Sequence, residues 1–487
     1  MQRFKLSVIP LLIVVLSGCS GGESSSDRST KESAITLPSN LRTFVVEQAS
    51  PSLVHIDIGQ ESGSHGDILA FDAEITSNNG MSGKLSGMVT TVDIVESDKV
   101  VQDRITEIAF DFPDFGTLVV GGKSVYPFDG SGTEEMTLNN PQIRPVLGGT
   151  GDFLGAQGQV ETIRNENSTY SHMFELVGVA PWQDGDSGEQ RTFTLSQGVP
   201  NIVHIDLGQE GGSHGDLLAF DAEFTSDEDL SGKISGMITT VDVPEPNEVT
   251  FQDRFVKAAF DFGQGSTLVM FGNSSYPADS SGADELAINA PVIKPIVGGT
   301  GEFSGARGQV ETTRNDDGTY TQTFQLVGTA NPNPPTEDFQ STLTLHQTLP
   351  FLVHVDVGSE GGSHGDTLAF DAELTSTEGL LGKLSGLVIT VDIPEPGGID
   401  YKDRIVHLVF DLGSANTVVV GGKSVYPFDG SSASEFEKNI PQIRAIIGGT
   451  GDYMAARGQV VSTRLDDGSY EHVLQFQTPR KFLYPLL

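Results

Sequence analysis

The chain has 487 residues, with 28 Lys and Arg against 66 Asp and Glu, and its formal net charge is −38. Such a charge repels nucleic acid and anionic lipid surfaces, so we expect no nucleic-acid partner. It is typical of a solvated surface that keeps an exported protein soluble, with adventitious Ca²⁺ binding as the alternative. Cys19 is the only cysteine, which excludes an internal disulfide and any site that needs two thiolates.

The first predicted element is an export signal. A basic start precedes an apolar run from Leu6 to Leu16, which is too short for a mature membrane span. The run ends in Leu16-Ser17-Gly18-Cys19, which resembles the bacterial lipoprotein signal. The resemblance implies that residues 1–18 are removed and that Cys19 is acylated, which gives a membrane anchor.

Two further features follow from this signal. Ser20, rather than Asp, comes after the cysteine, and by resemblance this favours an outer-membrane lipoprotein of the cell envelope. Residues 19–40 are polar and rich in Ser and Gly, too poor in apolar residues to bury a core, so we predict a flexible tether.

The rest of the chain is one unit repeated three times. The segment that begins Leu53-Val-His-Ile-Asp returns at Ile202 and again at Leu352. Each unit spans about 140 residues, which is the size of an independent domain rather than of a solenoid repeat. We predict domains at 41–179, 191–329 and 341–480, joined by exposed linkers at 180–190 and 330–340.

Within a unit the pattern indicates β-strands throughout, with no sustained helical periodicity. In the first unit we predict strands at 43–48, 53–58, 69–76, 84–94, 104–112, 117–125, 143–147, 159–164 and 170–177. Leu69, Phe71, Ala73 and Ile75 alternate with Ala70, Asp72, Glu74 and Thr76, which predicts one buried face and one face that is wet or lines a polar cavity. Eight or nine short antiparallel strands favour a closed barrel, so the predicted fold class is all-β with three tandem eight-stranded barrels.

Several motifs resemble the allene oxide cyclase and dirigent barrel superfamily, and the similarity covers almost the whole of each unit. In the second unit they are Arg191-Thr-Phe-Thr-Leu, Gly215-Asp-Leu-Leu-Ala-Phe, Gly232-Lys-Ile-Ser-Gly, Tyr276-Pro and Gly298-Gly-Thr-Gly-Glu-Phe-Ser-Gly-Ala-Arg-Gly-Gln-Val. The resemblance implies a cavity for an apolar, oxygenated small molecule or lipid, used to cyclise an intermediate or to orient radicals. Family barrels commonly form trimers.

Three barrels on one chain therefore predict intrachain packing around a pseudo-threefold axis, with three separate beads on a tether as the alternative. The Gly-Gly-Thr-Gly element is not a phosphate loop, because its glycine spacing differs and a strand rather than a helix follows it. No cofactor is expected.

Every unit contains His-x-Asp, seven further residues and then His-Gly-Asp. A cyclase needs a general acid or base beside an apolar pocket, and the candidate catalytic pairs are His55 with Asp57, His204 with Asp206, and His354 with Asp356. These residues could also ligate Zn²⁺, Mn²⁺ or Fe²⁺. Because the second motif belongs to the family pattern without a metal, we predict no metal.

Further candidates for ligand binding recur in each unit as an acid, a tyrosine before proline and a cation. They are Asp72, Tyr126 and Arg144; Asp221, Tyr276 and Lys294; and Asp371, Tyr426 and Arg444. The cation could steady an oxyanion or a substrate carboxylate, or it could lie on the surface. The tyrosine could bind the ligand, or it could only pack at the barrel mouth.

Three functions from different classes fit these observations. In order of preference they are a small-molecule binding barrel without catalysis, a cyclase or isomerase that acts on an apolar oxygenated substrate, and a structural surface protein. The His-Glu-x-x-His signature of zinc hydrolases is absent from the sequence, and no cysteine besides Cys19 is present to act as a nucleophile.

Overall fold

A computed structural model describes residues 42–58, 63–94, 101–177, 191–207, 213–226, 230–242, 251–277, 285–327, 339, 341–357, 362–377, 379–393, 401–428 and 434–477. The expected signal, Cys19, the tether and nearly all of both linkers lie outside these residues. In the described part of the chain, no helix is long and apolar enough to cross a membrane.

The described residues form 27 β-strands and three 3-10 helices, with no α-helix among them. Barrel 1 contains β1 (Arg42–Gln48), β2 (Ser52–Ile56), β3 (Ile68–Ser77), β4 (Ser82–Ile94), β5 (Val101–Phe112), β6 (Gly116–Pro127), β7 (Gln142–Gly149), a 3-10 helix (Gly151–Phe153), β8 (Gln157–Arg164) and β9 (Tyr170–Val177). Barrel 2 contains β10 (Arg191–Gln197), β11 (Asn201–Ile205), β12 (Leu217–Ser226), β13 (Ser231–Asp242), β14 (Phe251–Asp261), β15 (Thr267–Pro277), β16 (Val292–Thr300), a 3-10 helix (Gly301–Phe303), β17 (Arg307–Arg314) and β18 (Tyr320–Val327). Barrel 3 contains β19 (Ser341–Gln347), β20 (Phe351–Val355), β21 (Thr367–Ser376), β22 (Leu381–Asp392), β23 (Tyr401–Asp411), β24 (Thr417–Pro427), β25 (Gln442–Thr450), a 3-10 helix (Gly451–Tyr453), β26 (Gly458–Arg464) and β27 (Tyr470–Phe476).

Each repeat closes into an eight-stranded antiparallel ring with one extra strand. In barrel 1 the strands pair in the order β1-β9-β8-β7-β6-β5-β4-β3, and β3 pairs back with β1 to close the ring. The ninth strand, β2, follows β1 in sequence and pairs with residues 68–72 of β3, on the same edge that β1 joins at residues 75–77. Barrels 2 and 3 repeat this order with β11 and β20 as the extra strands. The predicted all-β fold of three tandem eight-stranded barrels is therefore confirmed.

Burial along the strands shows which side of each barrel meets water. In β9, Tyr170, His172, Phe174 and Leu176 are buried and alternate with more exposed residues, as expected for a strand with one wet face. In β5, by contrast, every residue from Gln102 to Phe110 is buried. The outer face of β5 is covered because the three barrels pack against one another.

A central hydrophobic cluster, which we call the central interface, draws side chains from all three barrels. Its members include Ile68, Met88 and Ile105 of barrel 1, Leu217, Met237 and Phe255 of barrel 2, and Ala369, Leu387 and Ile405 of barrel 3. Burial of apolar area on this scale is the dominant favourable contribution to association. The described residues of the three barrels accordingly belong to one compact unit.

The Gly-Gly-Thr-Gly elements join neighbouring barrels in a cyclic pattern. The amide of Gly151 donates to Gln309 Oε1 at 3.2 Å, that of Gly301 to Gln459 Oε1 at 3.4 Å, and that of Gly451 to Gln159 Oε1 at 3.2 Å. A Cβ on Gly148 would lie 3.1 Å from Val297 Cγ1 of barrel 2. Barrel 1 thus contacts barrel 2, barrel 2 contacts barrel 3, and barrel 3 contacts barrel 1, as around a pseudo-threefold axis.

Three different residues meet at equivalent positions of β5, β14 and β23. Lys257 Nζ lies 2.5 Å from Glu107 Oε1, and His407 Nδ1 lies 2.9 Å from the same oxygen. All three side chains are buried. Burial raises the pKa of Glu107, but Lys257 and His407 outweigh this effect and leave its pKa below the ordinary value. We call this group the axial triad.

Candidate functional site

Each barrel encloses a cavity at the same place in its fold. The empty space, counted to the mouth, is about 440 Å³ in barrel 1, 550 Å³ in barrel 2 and 480 Å³ in barrel 3. The apolar wall in barrel 1 is made by Leu53, Leu69, Phe71, Val89 and Ile108. The lining of these cavities suits small, mostly apolar molecules.

A buried arginine provides the cation of the barrel 1 cavity. Arg144 lies on β7 and is 1% exposed. Its Nε donates to Ser124 Oγ at 2.5 Å, and its Nη2 contacts Met136 Sδ at 3.5 Å. Within the described residues Nη1 has no hydrogen-bond partner. Burial lowers the pKa of Arg144, and the nearby phenols of Tyr126 and Tyr170 oppose this effect only in part.

The carboxylates of the same cavity are already paired with other cations. Glu134 Oε2 lies 2.8 Å from Arg104 Nη2. Glu135 forms an ion pair with Arg164 and accepts a hydrogen bond from the Tyr170 hydroxyl at 2.8 Å. Arg144 therefore contributes a positive charge that no described acid of the cavity balances.

Barrel 3 repeats this arrangement closely. Arg444 Nε donates to Ser424 Oγ at 2.6 Å. Glu435 forms an ion pair with Arg464 and accepts a hydrogen bond from the Tyr470 hydroxyl at 2.6 Å. Burial also lowers the pKa of Arg444. Barrels 1 and 3 therefore share these contacts, although barrel 3 has Ser434 where barrel 1 has Glu134.

Barrel 2 has a lysine at this position. Lys294 lies on β16 and is 2% exposed. Glu285 of the same cavity forms an ion pair with Arg314 and accepts a hydrogen bond from the Tyr320 hydroxyl at 2.9 Å. Burial alone lowers the pKa of Lys294 to about 7. The amine is therefore partly neutral near pH 7.

A histidine lines two of the cavities. The Nδ1 of His172 lies 3.0 Å from Thr162 Oγ1, and its Nε2 lies 2.8 Å from Gln48 Oε1. Burial, aided by Arg144, lowers the pKa of His172 to about 3, so the ring is neutral at physiological pH. His472 is placed in the same way, whereas barrel 2 has Gln322. Since both ring nitrogens of His172 are hydrogen-bonded, the ring has a fixed orientation and connects Thr162 and Gln48 in the cavity wall.

The structure brings two of the three predicted kinds of ligand-binding residue into the cavities. Tyr126, Tyr276 and Tyr426 line them together with Arg144, Lys294 and Arg444. A second buried arginine covers each tyrosine ring, with Cζ at 5.0, 5.1 and 4.6 Å from the ring centroid for Arg104, Arg254 and Arg404 respectively. This cation–π contact fixes the ring at the cavity wall.

The predicted acids lie elsewhere, at the boundaries between barrels. Asp72 pairs with Lys84 at 3.7 Å, Asp221 with Lys233 at 3.3 Å and Asp371 with Lys383 at 3.4 Å. The same lysines reach acids of the next barrel, as Lys84 reaches Asp253 at 3.2 Å. None of the three acids is among the residues that line the cavities. These acids therefore belong to ion-pair networks that connect neighbouring barrels.

The predicted catalytic pairs also lie outside the cavity linings. His55 is on the extra strand β2, where its Nε2 lies 3.4 Å from Asp67 Oδ2, and Asp57 is exposed just after the strand. His204 and His354 lie 3.6 and 4.0 Å from Asp216 and Asp366, and Asp206 and Asp356 are exposed. The catalytic role of these pairs stays a prediction.

The aspartate of the second motif shapes a loop. Asp67 is buried and accepts hydrogen bonds from the amides of Ser64 at 2.6 Å and Ile58 at 2.9 Å. Asp216 and Asp366 accept equivalent bonds in the other barrels. In the part of the chain that the structure describes, no group of three or more His, Cys, Asp or Glu side chains could hold a metal ion.

The sequence does not predict a polar cluster that lies beside each cavity. It consists of Tyr170, Glu135 and Arg164, and it recurs as Tyr320, Glu285 and Arg314 and as Tyr470, Glu435 and Arg464. These residues recur at intervals of 150 positions. That recurrence was visible in the sequence, but the convergence of three separate segments was not.

No family model matches the chain, and no curated protein matches it. Among solved structures it is similar to pyocyanin demethylase, with 17% identity over 28% of this chain and 100% of that chain and a TM-score of 0.22. A TM-score of this size carries no argument about function.

Proposed function

We propose that each barrel binds a small, mostly apolar molecule or lipid fragment that carries an anionic or carbonyl oxygen. The support is a buried cation without a described acidic partner in each cavity, at Arg144, Lys294 and Arg444. A buried charge is costly unless a partner compensates it. The unpaired Nη1 of Arg144 is the observation that carries the proposal, because an oxygen of the ligand would pair with it.

Binding of two matched probes tests this proposal. We expect 2-naphthoate to bind the full chain about 10 to 100 times more tightly than 2-methylnaphthalene, because a hydrogen bond to a charged group contributes about 1.5 to 3 kcal/mol. Isothermal titration calorimetry gives both affinities. In the triple variant Arg144→Met, Lys294→Met, Arg444→Met, the preference for naphthoate should disappear while methylnaphthalene still binds. Unchanged naphthoate affinity in that variant, or no binding by the parent, would refute the proposal.

We further propose that the chain is exported and held at the outer membrane by lipid on Cys19. The support is the apolar run that ends in Leu16-Ser17-Gly18-Cys19, followed by Ser20. In fractionated cells, Cys19→Ser should move the protein from the membrane to the soluble fraction. The anchor is wrong if the variant stays with the membrane as the parent does.

A further inference from the structure

The barrel 2 cavity differs from the other two in a way that changes its chemistry. Lys294 occupies the position of Arg144 and Arg444. A guanidinium keeps its proton in proteins and has no nucleophilic lone pair, whereas a buried lysine can lose its proton and become a nucleophile. Only barrel 2 therefore has a potential nucleophile at this position.

The surroundings of Lys294 leave its amine available to react with a bound molecule. In the described part of the chain no acid pairs with it, since Glu285 is taken by Arg314 and the Tyr320 hydroxyl. The hydroxyl of Ser274, whose counterparts hold the arginines of barrels 1 and 3, is buried and has no described hydrogen-bond partner. This cavity is also the largest of the three, at about 550 Å³.

We propose that Lys294 forms an imine with an aldehyde or ketone group of a small apolar molecule bound in barrel 2. This inference rests on the proposed binding function and names the ligand class for one cavity. Barrels 1 and 3, with arginine at this position, bind their ligands without a covalent bond.

The reaction needs no oxidant or reductant. The Lys294 nitrogen attacks the carbonyl carbon and the N–C bond forms. The two protons of the neutral amine pass to the carbonyl oxygen, the C–O bond breaks, and water leaves as the C=N bond forms. Burial lowers the pKa of Lys294 to about 7, which supplies the neutral amine near pH 7. Tyr276 lines the same cavity, and because burial raises its pKa, it keeps its proton and can donate a hydrogen bond to the leaving oxygen.

Reductive trapping tests this proposal directly. The full chain is incubated at pH 7 with 2-naphthaldehyde and sodium cyanoborohydride, which reduces an imine to a stable amine. Intact mass and peptide mapping should show one adduct per chain, on Lys294, before the exposed Lys438 reacts. In Lys294→Arg, which installs the residue of the other barrels and keeps the charge, the adduct should be lost. A melting curve checks that this variant is folded.

The outcomes separate the two proposals. Adducts spread over exposed lysines, or an undiminished adduct in Lys294→Arg, would overturn the imine. If 2-naphthoate binds the parent and no adduct forms on Lys294, the imine is refuted and the binding function stands. If neither naphthoate nor naphthaldehyde binds, both proposals fail.

Discussion

Lys294→Met is expected to make the protein more stable at pH 6 by a few kcal/mol. The pKa of Lys294 falls from 10.5 to about 7 on folding because the ammonium loses its hydration in the cavity. Each pKa unit corresponds to about 1.4 kcal/mol of stability. Methionine has a similar length and carries no charge, so the cavity wall should stay packed. Denaturant midpoints of parent and variant measure the difference.

The pH dependence of this difference has a definite sign. Below about pH 7 the parent must hold a charged lysine in the cavity, so the destabilisation is fully present. It decreases as the pH rises and vanishes above about 10.5, where the amine is neutral in both states. The gain from Lys294→Met should therefore shrink steadily between pH 7 and pH 10.

The control is Lys438→Met, since Lys438 is exposed. It should change the free energy of unfolding by less than about 0.5 kcal/mol, with no trend between pH 7 and pH 10. A Lys294→Met variant that is less stable than the parent at every pH would show that the folded protein pairs this amine. It would also remove the main argument for a ligand position beside Lys294 in barrel 2.

Glu107→Leu is expected to destabilise the protein by about 3 to 5 kcal/mol, because removing one partner of a buried ion pair leaves an uncompensated charge. That charge is the Lys257 ammonium, which lies 2.5 Å from Glu107 in the axial triad. The expected readout is a lower denaturant midpoint. At low pH the loss should be smaller, since the lowered pKa of Glu107 stabilises the parent only while its carboxylate is ionised.

A second substitution shows whether Glu107→Leu destabilises the protein through the unpaired charge or through disturbed packing. The double variant Glu107→Leu, Lys257→Met should recover most of the loss, because a buried ion pair replaced by apolar residues of similar volume is often neutral or stabilising. The exposed Glu166 provides the matched control, and Glu166→Gln should have little effect. If Glu107→Leu alone leaves stability unchanged, the axial triad contributes nothing to the packing of the barrels.

The sequence predicts the strands well where one side of the barrel wall faces water. In such strands buried apolar residues alternate with exposed polar ones, and this alternation is visible in the sequence. β9 was predicted at 170–177 and is observed at Tyr170–Val177. β3 was also predicted, but the prediction that its second face is wet or lines a polar cavity was wrong near the start of the strand. Ala70 points into the central interface and is buried. Burial by a neighbouring barrel leaves no signal within one repeat.

The same limit applies to the candidate site. A tyrosine before proline and a cation recur in each repeat, and in barrel 1 these residues, Tyr126 and Arg144, do line one cavity. The acid–base chemistry of His55 made it a candidate, but its side chain lies beside Asp67 and is not part of the cavity lining, although Leu53 of the same strand is. The pairing of Glu135 with Arg164 depends on contacts between segments far apart in sequence.

Linkage of the barrels in one chain has a consequence for how the protein can evolve. In an assembly of three identical subunits, a residue on the axis meets its own copies, and a buried glutamate would face two more glutamates. Here the positions hold Glu107, Lys257 and His407, a combination that identical subunits cannot form. Each of these three positions is encoded separately and can mutate on its own. For the same reason barrel 2 can have Lys294 where barrels 1 and 3 have arginine. The three cavities of one chain can therefore acquire different functions.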